Sequence, residues 1–176
     1  VDLCAYYNAD IIQHYYKERL ANQVEPMPKG SMWRYTLDVE GKKCIAKTEL
    51  ADTCLELPVI NRAFAHANST YRFVYGCGVN SLHQHEFYNQ MVKIDVSTGH
   101  CVSWYNEGHY PGEPVFVPSP DSKAEDDGLL LSVVLDTYSN TSYLLILNAS
   151  TLGQVAKATL PHSILFGYHG TFIHQN

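Results

Sequence analysis

The stretch that decides the fold class is Met91-Val-Lys-Ile-Asp-Val-Ser-Thr-Gly99, which leads directly into His100–Tyr105. Its apolar strand ends in an Asp whose side chain can accept hydrogen bonds from turn amides, and the Gly tolerates the positive φ of a hairpin turn. A second stretch, Leu144-Leu-Ile-Leu-Asn-Ala-Ser-Thr-Leu-Gly153 followed by Gln154–Thr159, has the same pattern. Hairpins that recur at a spacing of about fifty residues are typical of propeller blades. We therefore predict an all-β chain and favour a β-propeller over a β-sandwich.

Short candidate strands separated by turn signals follow one another through most of the chain. Ahead of them, residues 6–21 form the one plausible helix, because Tyr7, Ile11 and Tyr15 fall near helical spacing and Pro26 ends the pattern. The predicted strands are 33–39, 44–49, 71–76, 90–95, 100–105, 114–117, 128–136, 142–148, 154–159 and 164–169. The pattern therefore predicts strands throughout, with one short helix near the N-terminus.

The composition is that of a globular protein. Of its 176 residues, 45% are hydrophobic and 17% are charged, which suits a packed core. The net charge is −6 and the Lys and Arg residues form no block, so we expect no nucleic-acid partner. The longest apolar run, Leu129–Leu135, is too short to span a bilayer. Five scattered cysteines without a CxxC pair favour reduced thiols in a cytoplasmic protein over a disulfide framework or a zinc site.

The stretch Phe166-Gly-Tyr-His-Gly-Thr-Phe172 contains the first candidate for chemistry. His169 stands between an aromatic residue and a glycine at the end of an apolar run, where a neutral imidazole can bind a transition metal. One ligand does not make a metal site, however. Taken alone, this pattern is more typical of a hydrogen-bonded core histidine.

Three other clusters carry weaker signals. His83–Glu86 combines two histidines with a carboxylate, but further spaced ligands are missing and a surface loop is favoured. Gly76–Gly78 is too short for a dinucleotide fingerprint and favours a bulge or tight turn, with Cys77 as a small core residue. Glu125–Asp127 lacks the alternating ligands of a calcium loop and favours a turn.

Five motifs follow one another in order along the second part of the chain. They are Tyr75-Gly-Cys-Gly78, Tyr110-Pro-Gly-Glu-Pro-Val-Phe-Val117, Glu125-Asp-Asp-Gly-Leu-Leu-Leu-Ser-Val-Val134, Tyr143-Leu-Leu-Ile-Leu-Asn-Ala149 and Tyr168-His-Gly-Thr-Phe172. This series resembles the C-terminal third of the animal carotenoid cleavage oxygenases, a family that includes the beta-carotene oxygenases, the insect carotenoid isomerooxygenase and the retinal pigment epithelium isomerase. Val1–Cys4 resembles the strand just after that family's third iron-binding histidine. We therefore expect residues 1–176 to be the C-terminal part of a single propeller domain whose remainder lies upstream.

The resemblance implies a seven-bladed β-propeller with Fe(II) on its axis, bound by four histidines of which three are oriented by glutamates. His169 falls on the fourth iron ligand, Glu113 on one orienting glutamate and Glu56 on another. The remaining ligands would lie upstream of this chain. Glu113 stands between two prolines, and the stiff backbone there suits an orienting role. Without the resemblance, Glu113 would be interpreted as a loop carboxylate that faces water and Glu56 as a charge at a strand edge.

For function, the resemblance implies that the complete protein is a dioxygenase that cleaves a carotenoid double bond with O2 to give apocarotenoid or retinal products. This chain alone would be inactive. Tyr6, Leu57 and Tyr168 are the residues expected near an apolar substrate tunnel. Such a substrate implies docking on a membrane surface through upstream segments, hence a cytoplasmic or peripheral membrane protein. Two alternatives stay open, namely a retinoid isomerase of the same family and a metal-free propeller that only binds partners.

Overall fold

Each of the two predicted hairpins folds as a pair of adjacent antiparallel strands in the computed structural model, which describes residues 1–22, 25–65 and 70–173. The helices are α1 (Asp10–His14) and α2 (Lys17–Asn22). The strands are β1 (Asp2–Ala5), β2 (Ser31–Asp38), β3 (Lys43–Glu49), β4 (Glu56–Val59), β5 (Phe73–Gly78), β6 (Gln90–Asp95), β7 (His100–Tyr105), β8 (His109–Pro111), β9 (Val115–Pro118), β10 (Gly128–Asp136), β11 (Thr141–Asn148) and β12 (Gln154–Thr159).

Three antiparallel sheets follow one another along the chain. Sheet 1 has the strand order β1-β2-β3, and sheet 2 has the order β4-β5-β6-β7. Sheet 3 has the order β12-β11-β10-β8, and the short strand β9 also pairs with β10. Because each sheet is a meander of consecutive strands, the architecture is that of propeller blades and not of a Greek-key sandwich. The prediction of an all-β propeller fold is confirmed.

Two apolar cores lie between successive sheets and hold them together. Met32 of sheet 1 clusters with Val74 of sheet 2, and Tyr75 of sheet 2 clusters with Val134 of sheet 3. Val74 and Tyr75 are both fully buried, yet they belong to different cores because consecutive strand residues face opposite sides of a sheet. Each buried aliphatic side chain of this size contributes about 1.5–3 kcal/mol, so sheet 2 is anchored on both faces.

The two hairpin turns confirm the predicted roles of their Asp and Asn residues. Asp95 Oδ1 accepts from the Ser97 amide at 3.0 Å, and Asn148 Oδ1 accepts from the amides of residues 150 and 151 at 3.0 Å each. The positive φ falls on Gly99 (73°) in the first turn, as predicted, but on Leu152 (55°) in the second. Leu152 is buried, so packing of its side chain offsets the strain of the left-handed backbone.

The acidic stretch Glu125–Asp127 fastens sheet 3 to sheet 2. The Glu125 carboxylate accepts from the backbone N–H groups of Arg72 and Phe73, both at 2.8 Å. Lys93 donates to Asp126 Oδ2 at 2.6 Å. The stretch therefore lies in a turn, as predicted, and its carboxylates hold two blades together.

Gly76 and Gly78 lie inside β5, so the predicted tight turn at these residues is wrong. A Cβ at Gly76 would stand 2.4 Å from the Glu56 carbonyl oxygen, and a Cβ at Gly78 would stand 2.4 Å from that of Cys54. The bulge lies instead in the partner strand, where the pairing of β4 with β5 shifts register between Glu56 and Val59. The glycines are needed because the β4 backbone approaches β5 closely.

The helix predicted over residues 6–21 is wrong, because the chain forms two short helices there. Asn8 Oδ1 accepts from the Asp10 amide at 3.0 Å, and this local turn delays the start of α1. Ile11 is the one buried residue of α1, and α2 has none. Because so little side-chain burial supports it, a continuous helix is not favoured.

Strands β4 and β8 have no counterpart in the sequence prediction, and residues 164–169 do not form the strand predicted there. β4 contains Pro58 and β8 ends at Pro111, and proline hides the usual strand signal. Residues 164–169 are held by a side chain instead of a partner strand, since the Ser142 hydroxyl accepts from the Ile164 amide at 2.8 Å.

Candidate metal and substrate site

Glu113 stands at a break between β8 and β9, the two short strands that form one edge of sheet 3. Before it, β8 pairs with residues 134–136 of β10, and after it β9 pairs with residues 128–131 of the same strand. Between these two ladders the Gly112 amide donates to Val133 O at 2.9 Å, and the Ser132 hydroxyl donates to Gly112 O at 2.8 Å. The break frees Glu113 from the strand pairing while its neighbours stay fixed.

His169 is brought to this carboxylate from a distant part of the chain. Its Nδ1 lies 3.1 Å from Glu113 Oε1, and the Gly170 amide donates to Glu113 Oε2 at 3.0 Å. An ionised carboxylate only accepts hydrogen bonds, so the proton of a neutral imidazole resides on Nδ1. The Nε2 lone pair is then directed away from Glu113, and the His169 side chain is 81% exposed. This tautomer is the one that a metal ligand requires.

The segment that carries His169 returns from the outer edge of sheet 3 across its face. The Leu160 amide donates to Ser142 O at 2.8 Å, next to the end of β12. Further along, the ring of Phe166 packs against that of Phe87, which lies in the loop between β5 and β6, with centroids 4.8 Å apart. These contacts place residues 166–170 beside Glu113 and the loop between β5 and β6.

Glu56 begins β4, the first strand of sheet 2, and lies opposite Cys77 of β5. The next residue, Leu57, has a positive φ of 53°, which is uncommon for a branched residue and coincides with the bulge in β4. The Leu57 amide contacts Glu56 Oε2 at 3.3 Å. The bulge and the left-handed residue together redirect the Glu56 and Leu57 side chains out of the regular pleat.

Cys77 lies between the two candidate glutamates. It is fully buried, as predicted for a core residue, and its thiol donates to Gly112 O at 3.1 Å. Burial, and then the negative charges of Glu113 and Glu56 among its neighbours, raises the pKa of the Cys77 thiol. This thiol therefore stays protonated and fills the space between the inner strands of sheets 2 and 3.

A cavity of about 220 Å³ opens beside Glu56. Leu57 and Tyr168, both predicted to lie near a substrate, line it together with Glu56. The wall is completed by residues that the sequence analysis did not place near a substrate, namely Tyr15, Leu20, Phe87, Tyr88, Pro111, Gly112, Phe166 and Gly167. Tyr6 is not part of the lining and lies behind it, with its hydroxyl 3.2 Å from that of Tyr88. The cavity is predominantly apolar and ends at one carboxylate.

A second cleft of about 290 Å³ is shared by both members of the carboxylate–imidazole pair. Glu113 and His169 line it with Phe166 and with apolar residues of β10 such as Leu131 and Val133. His169 therefore lies between the Glu113 carboxylate and the apolar side chains that line the cleft.

The other candidates do not assemble a site. His83 Nδ1 lies 3.2 Å from Glu86 Oε1, and its ring stacks on Tyr105 with centroids 5.2 Å apart. Across residues 1–22, 25–65 and 70–173, no group of three or more His, Cys, Asp or Glu side chains could hold a metal ion. All five cysteines, each in the described part of the chain, are free thiols. The residues present could therefore supply one metal ligand, the His169 imidazole, together with Glu113, the carboxylate that orients it.

A β-propeller in which a glutamate at a break in an edge strand orients a histidine is the class of protein that this fold and site define. The chain belongs to the retinal pigment epithelial membrane protein family, whose model matches residues 1–174. This membership confirms the family resemblance inferred from the five motifs.

Relatives of the chain include named oxygenases. A mitochondrial carotenoid-cleaving dioxygenase of Mustela putorius furo is 38% identical over 120 residues, which cover 68% of this chain and 21% of that protein. A carotenoid dioxygenase of Neurospora crassa is 37% identical over 119 residues, which cover 67% of this chain and 19% of that protein. The chain therefore spans about a fifth of the length of these curated relatives.

Solved structures share the fold over nearly the whole chain. The crystal structure of cobalt-substituted Synechocystis apocarotenoid oxygenase matches with a TM-score of 0.85 at 26% identity, covering 99% of this chain and 36% of that one. A chimera of this oxygenase with RPE65 matches with a TM-score of 0.77 at 28% identity, covering 85% of this chain and 31% of that one.

Proposed function

We propose that this chain is the C-terminal part of an Fe(II)-dependent dioxygenase that cleaves a carotenoid double bond to give apocarotenoid or retinal products. The observation that carries the proposal is the pair formed by Glu113 and His169, which leaves Nε2 of the imidazole available to a metal. The names of the relatives support the reaction, and the apolar cavity beside Glu56 suits a polyene.

In this proposal His169 is one iron ligand, and Glu113 keeps the proton on Nδ1 so that Nε2 can coordinate. Glu56 orients a second ligand histidine, which lies outside this chain. Bound Fe(II) would supply the activation of O2. Leu57 and Tyr168 line the tunnel that positions the polyene and excludes water, with Tyr6 supporting the wall from behind.

Access to a carotenoid or retinoid requires contact with a membrane, and we propose that other segments of the full-length protein provide it. In the described part of the chain, neither helix is long and apolar enough to cross a bilayer. The ferret relative is named as mitochondrial, which gives no support to the expected cytoplasmic location.

The test is to measure iron content and turnover of β-carotene under O2 in the full-length protein, beside His169→Ala. The wild type should contain iron and form apocarotenoid products, and the variant should lose both. His162→Ala is the matched control, because it removes an exposed histidine from the same segment and should change neither quantity.

Iron retained in His169→Ala would refute the assignment of the ligand. A wild type that lacks iron and turnover would favour the metal-free binding module. Isomerised retinoid in place of cleavage products would identify the isomerase.

A further inference from the structure

The carbonyl group of Gly112, one residue before Glu113, is held by side chains from two sheets. The Ser132 hydroxyl of β10 donates to Gly112 O at 2.8 Å, and the Cys77 thiol of β5 donates to the same oxygen at 3.1 Å. The thiol has one proton, so this oxygen is its main acceptor, and Pro111 O lies farther away at 3.5 Å. Both side chains are buried, at 0% exposure for Cys77 and 3% for Ser132. The two hydrogen bonds therefore act away from water, where they are electrostatically stronger.

These two bonds lie where the pairing along β10 changes from β8 to β9. In a hydrogen-bonded antiparallel pair, the two opposing residues exchange N–H···O bonds in both directions. The Gly112 amide donates to Val133 O at 2.9 Å, whereas the Gly112 carbonyl accepts from the two side chains. A carbonyl oxygen has two lone pairs, so two donors fill its capacity. Side chains thus hold the backbone at the point where β8 has ended and β9 has not begun.

Fixing the Gly112 carbonyl also fixes the backbone of Glu113. The peptide bond is planar, so the Gly112 oxygen lies in one plane with the nitrogen and Cα of Glu113. Pro114 follows, and a residue before proline is confined to extended conformations. The direction in which the Glu113 side chain leaves the chain is therefore set by the peptide that Ser132 and Cys77 hold.

That direction determines how the Glu113 carboxylate meets its own partners. It accepts from His169 Nδ1 at 3.1 Å and from the Gly170 amide at 3.0 Å, and a rotation of the peptide before Glu113 would disturb both bonds. We propose that Ser132 and Cys77 are positioning residues for this carboxylate, and that their effect reaches the metal through His169. The inference rests on the proposed function.

The test uses Ser132→Ala in the full-length protein, loaded either with Fe(II) or with Co(II) as a spectroscopic probe. We expect the iron dissociation constant to rise about two- to tenfold, the range of one hydrogen bond. The visible absorption bands of bound Co(II) should shift, because a ligand imidazole changes orientation. Cys77→Ala should have a smaller effect, because a thiol is a weaker donor than a hydroxyl. Cys77→Ser, which keeps a donor at this position, should bind iron more tightly than Cys77→Ala.

A double-mutant cycle tests whether the effect passes through Glu113. In Glu113→Gln, one of the two N–H donors has already lost its acceptor, so the position of this side chain matters less. Adding Ser132→Ala to Glu113→Gln should therefore change the iron dissociation constant by less than about twofold, which is the limit expected when the first change has removed the interaction.

Two controls separate positioning from a general loss of packing. Cys101→Ala removes another partly buried thiol, which donates to Gly99 O at 3.4 Å in the turn between β6 and β7. Val92→Ala removes a buried side chain from the core between sheets 1 and 2 and should lower stability without a change near Gly112. Both variants should keep the iron affinity and the Co(II) bands of the wild type.

The outcomes separate the inference from the proposed function. Wild-type protein that binds iron, beside a Ser132→Ala variant with unchanged affinity and Co(II) bands, overturns the inference alone. An equal shift in Val92→Ala also overturns it, because the effect is then a general weakening of the fold. An effect of Ser132→Ala that is as large in Glu113→Gln as in the wild type shows that Glu113 does not transmit it, with the same consequence. Wild-type protein that binds no metal overturns the proposed function, and the inference with it.

Discussion

Replacing Glu113 by Gln in the full-length protein is expected to weaken iron binding while the propeller stays folded. The two carboxylate oxygens accept from His169 Nδ1 at 3.1 Å and from the Gly170 amide at 3.0 Å. A glutamine offers one acceptor oxygen and one NH2 group, so one of these two N–H donors loses its acceptor. The imidazole is then free to rotate or to change tautomer, and Nε2 is presented to the metal for less of the time.

The size of the effect follows from the exposure of the pair. Loss of the partner that orients a metal-bound histidine typically lowers metal affinity roughly 10- to 100-fold. His169 is 81% exposed and Glu113 is 15% exposed, so solvent screens their interaction and the lower end of this range applies. We expect a dissociation constant about tenfold higher, equivalent to about 1.4 kcal/mol.

Iron dissociation constants would be measured by competition with a chelator. The matched control is Glu125→Gln, because the Glu125 carboxylate also accepts from two N–H groups, both of the backbone and both at 2.8 Å, outside the candidate site. Glu125→Gln should lower the urea midpoint of unfolding and leave the iron affinity unchanged. An affinity in Glu113→Gln equal to that of the wild type would refute the orienting role. An equal loss in both variants would show a general weakening of the fold.

Three further predictions concern stability, measured as the free energy of unfolding of the full-length protein in urea. Tyr75→Phe should raise it by about 1 kcal/mol, because that buried hydroxyl has no partner among the described residues; Tyr143→Phe, which removes a 3.0 Å bond to a buried histidine, should lower it by a similar amount, and the opposite order would refute the reasoning. Asp126→Asn should lower it by about 3 kcal/mol, because it leaves the Lys93 ammonium buried without its counter-charge. Burial opposes ionisation of Asp126, but the hydrogen bond from Lys93 prevails and lowers the pKa of Asp126 below 3.8. This stabilisation is therefore present above pH 3.8 and is lost as the pH falls through the pKa of the folded state. The wild type should lose stability in acid more steeply than Asp126→Asn, and an equal loss in both proteins would contradict the prediction. Gly76→Ala should lower the free energy by about 1–3 kcal/mol, since its Cβ would stand 2.4 Å from a β4 carbonyl oxygen, and unchanged stability would show that β4 can move away.

Local patterns predicted most of the strands correctly, because alternation and turn chemistry act over a few residues. Asp95 and Asn148 end their strands and accept from turn amides as expected. The failures occurred where local signals conflict with packing. Residues 6–21 have helical spacing, yet so few of their side chains are buried that two short helices form. The positive φ of the second hairpin falls on Leu152, where burial outweighs backbone preference.

The candidate site was accessible from sequence only in part. The motifs that resemble a known family point to His169, Glu113 and Glu56. Composition and spacing alone favour a structural or solvent-exposed role for each of them. Other residues that complete the cavity wall, such as Phe87 and Tyr88, belong to no motif. Aromatic residues are common in strands and cores, so their meeting at one cavity has no local signature.

The amino-acid sequence by itself determined that this chain is all-β and that its hairpins recur as blades, because these properties depend on residue type and on spacing over short distances. One histidine and two glutamates became candidates for metal chemistry only through the resemblance of their motifs to a known family. The tertiary structure alone decided that His169 meets Glu113, 56 positions away, and that the hydroxyls of Tyr6 and Tyr15 both meet that of Tyr88. Contacts over such separations arise from how sheets pack, from a break in the inner strand of sheet 3 and from a bulge in β4. None of these is encoded in a single stretch of the chain.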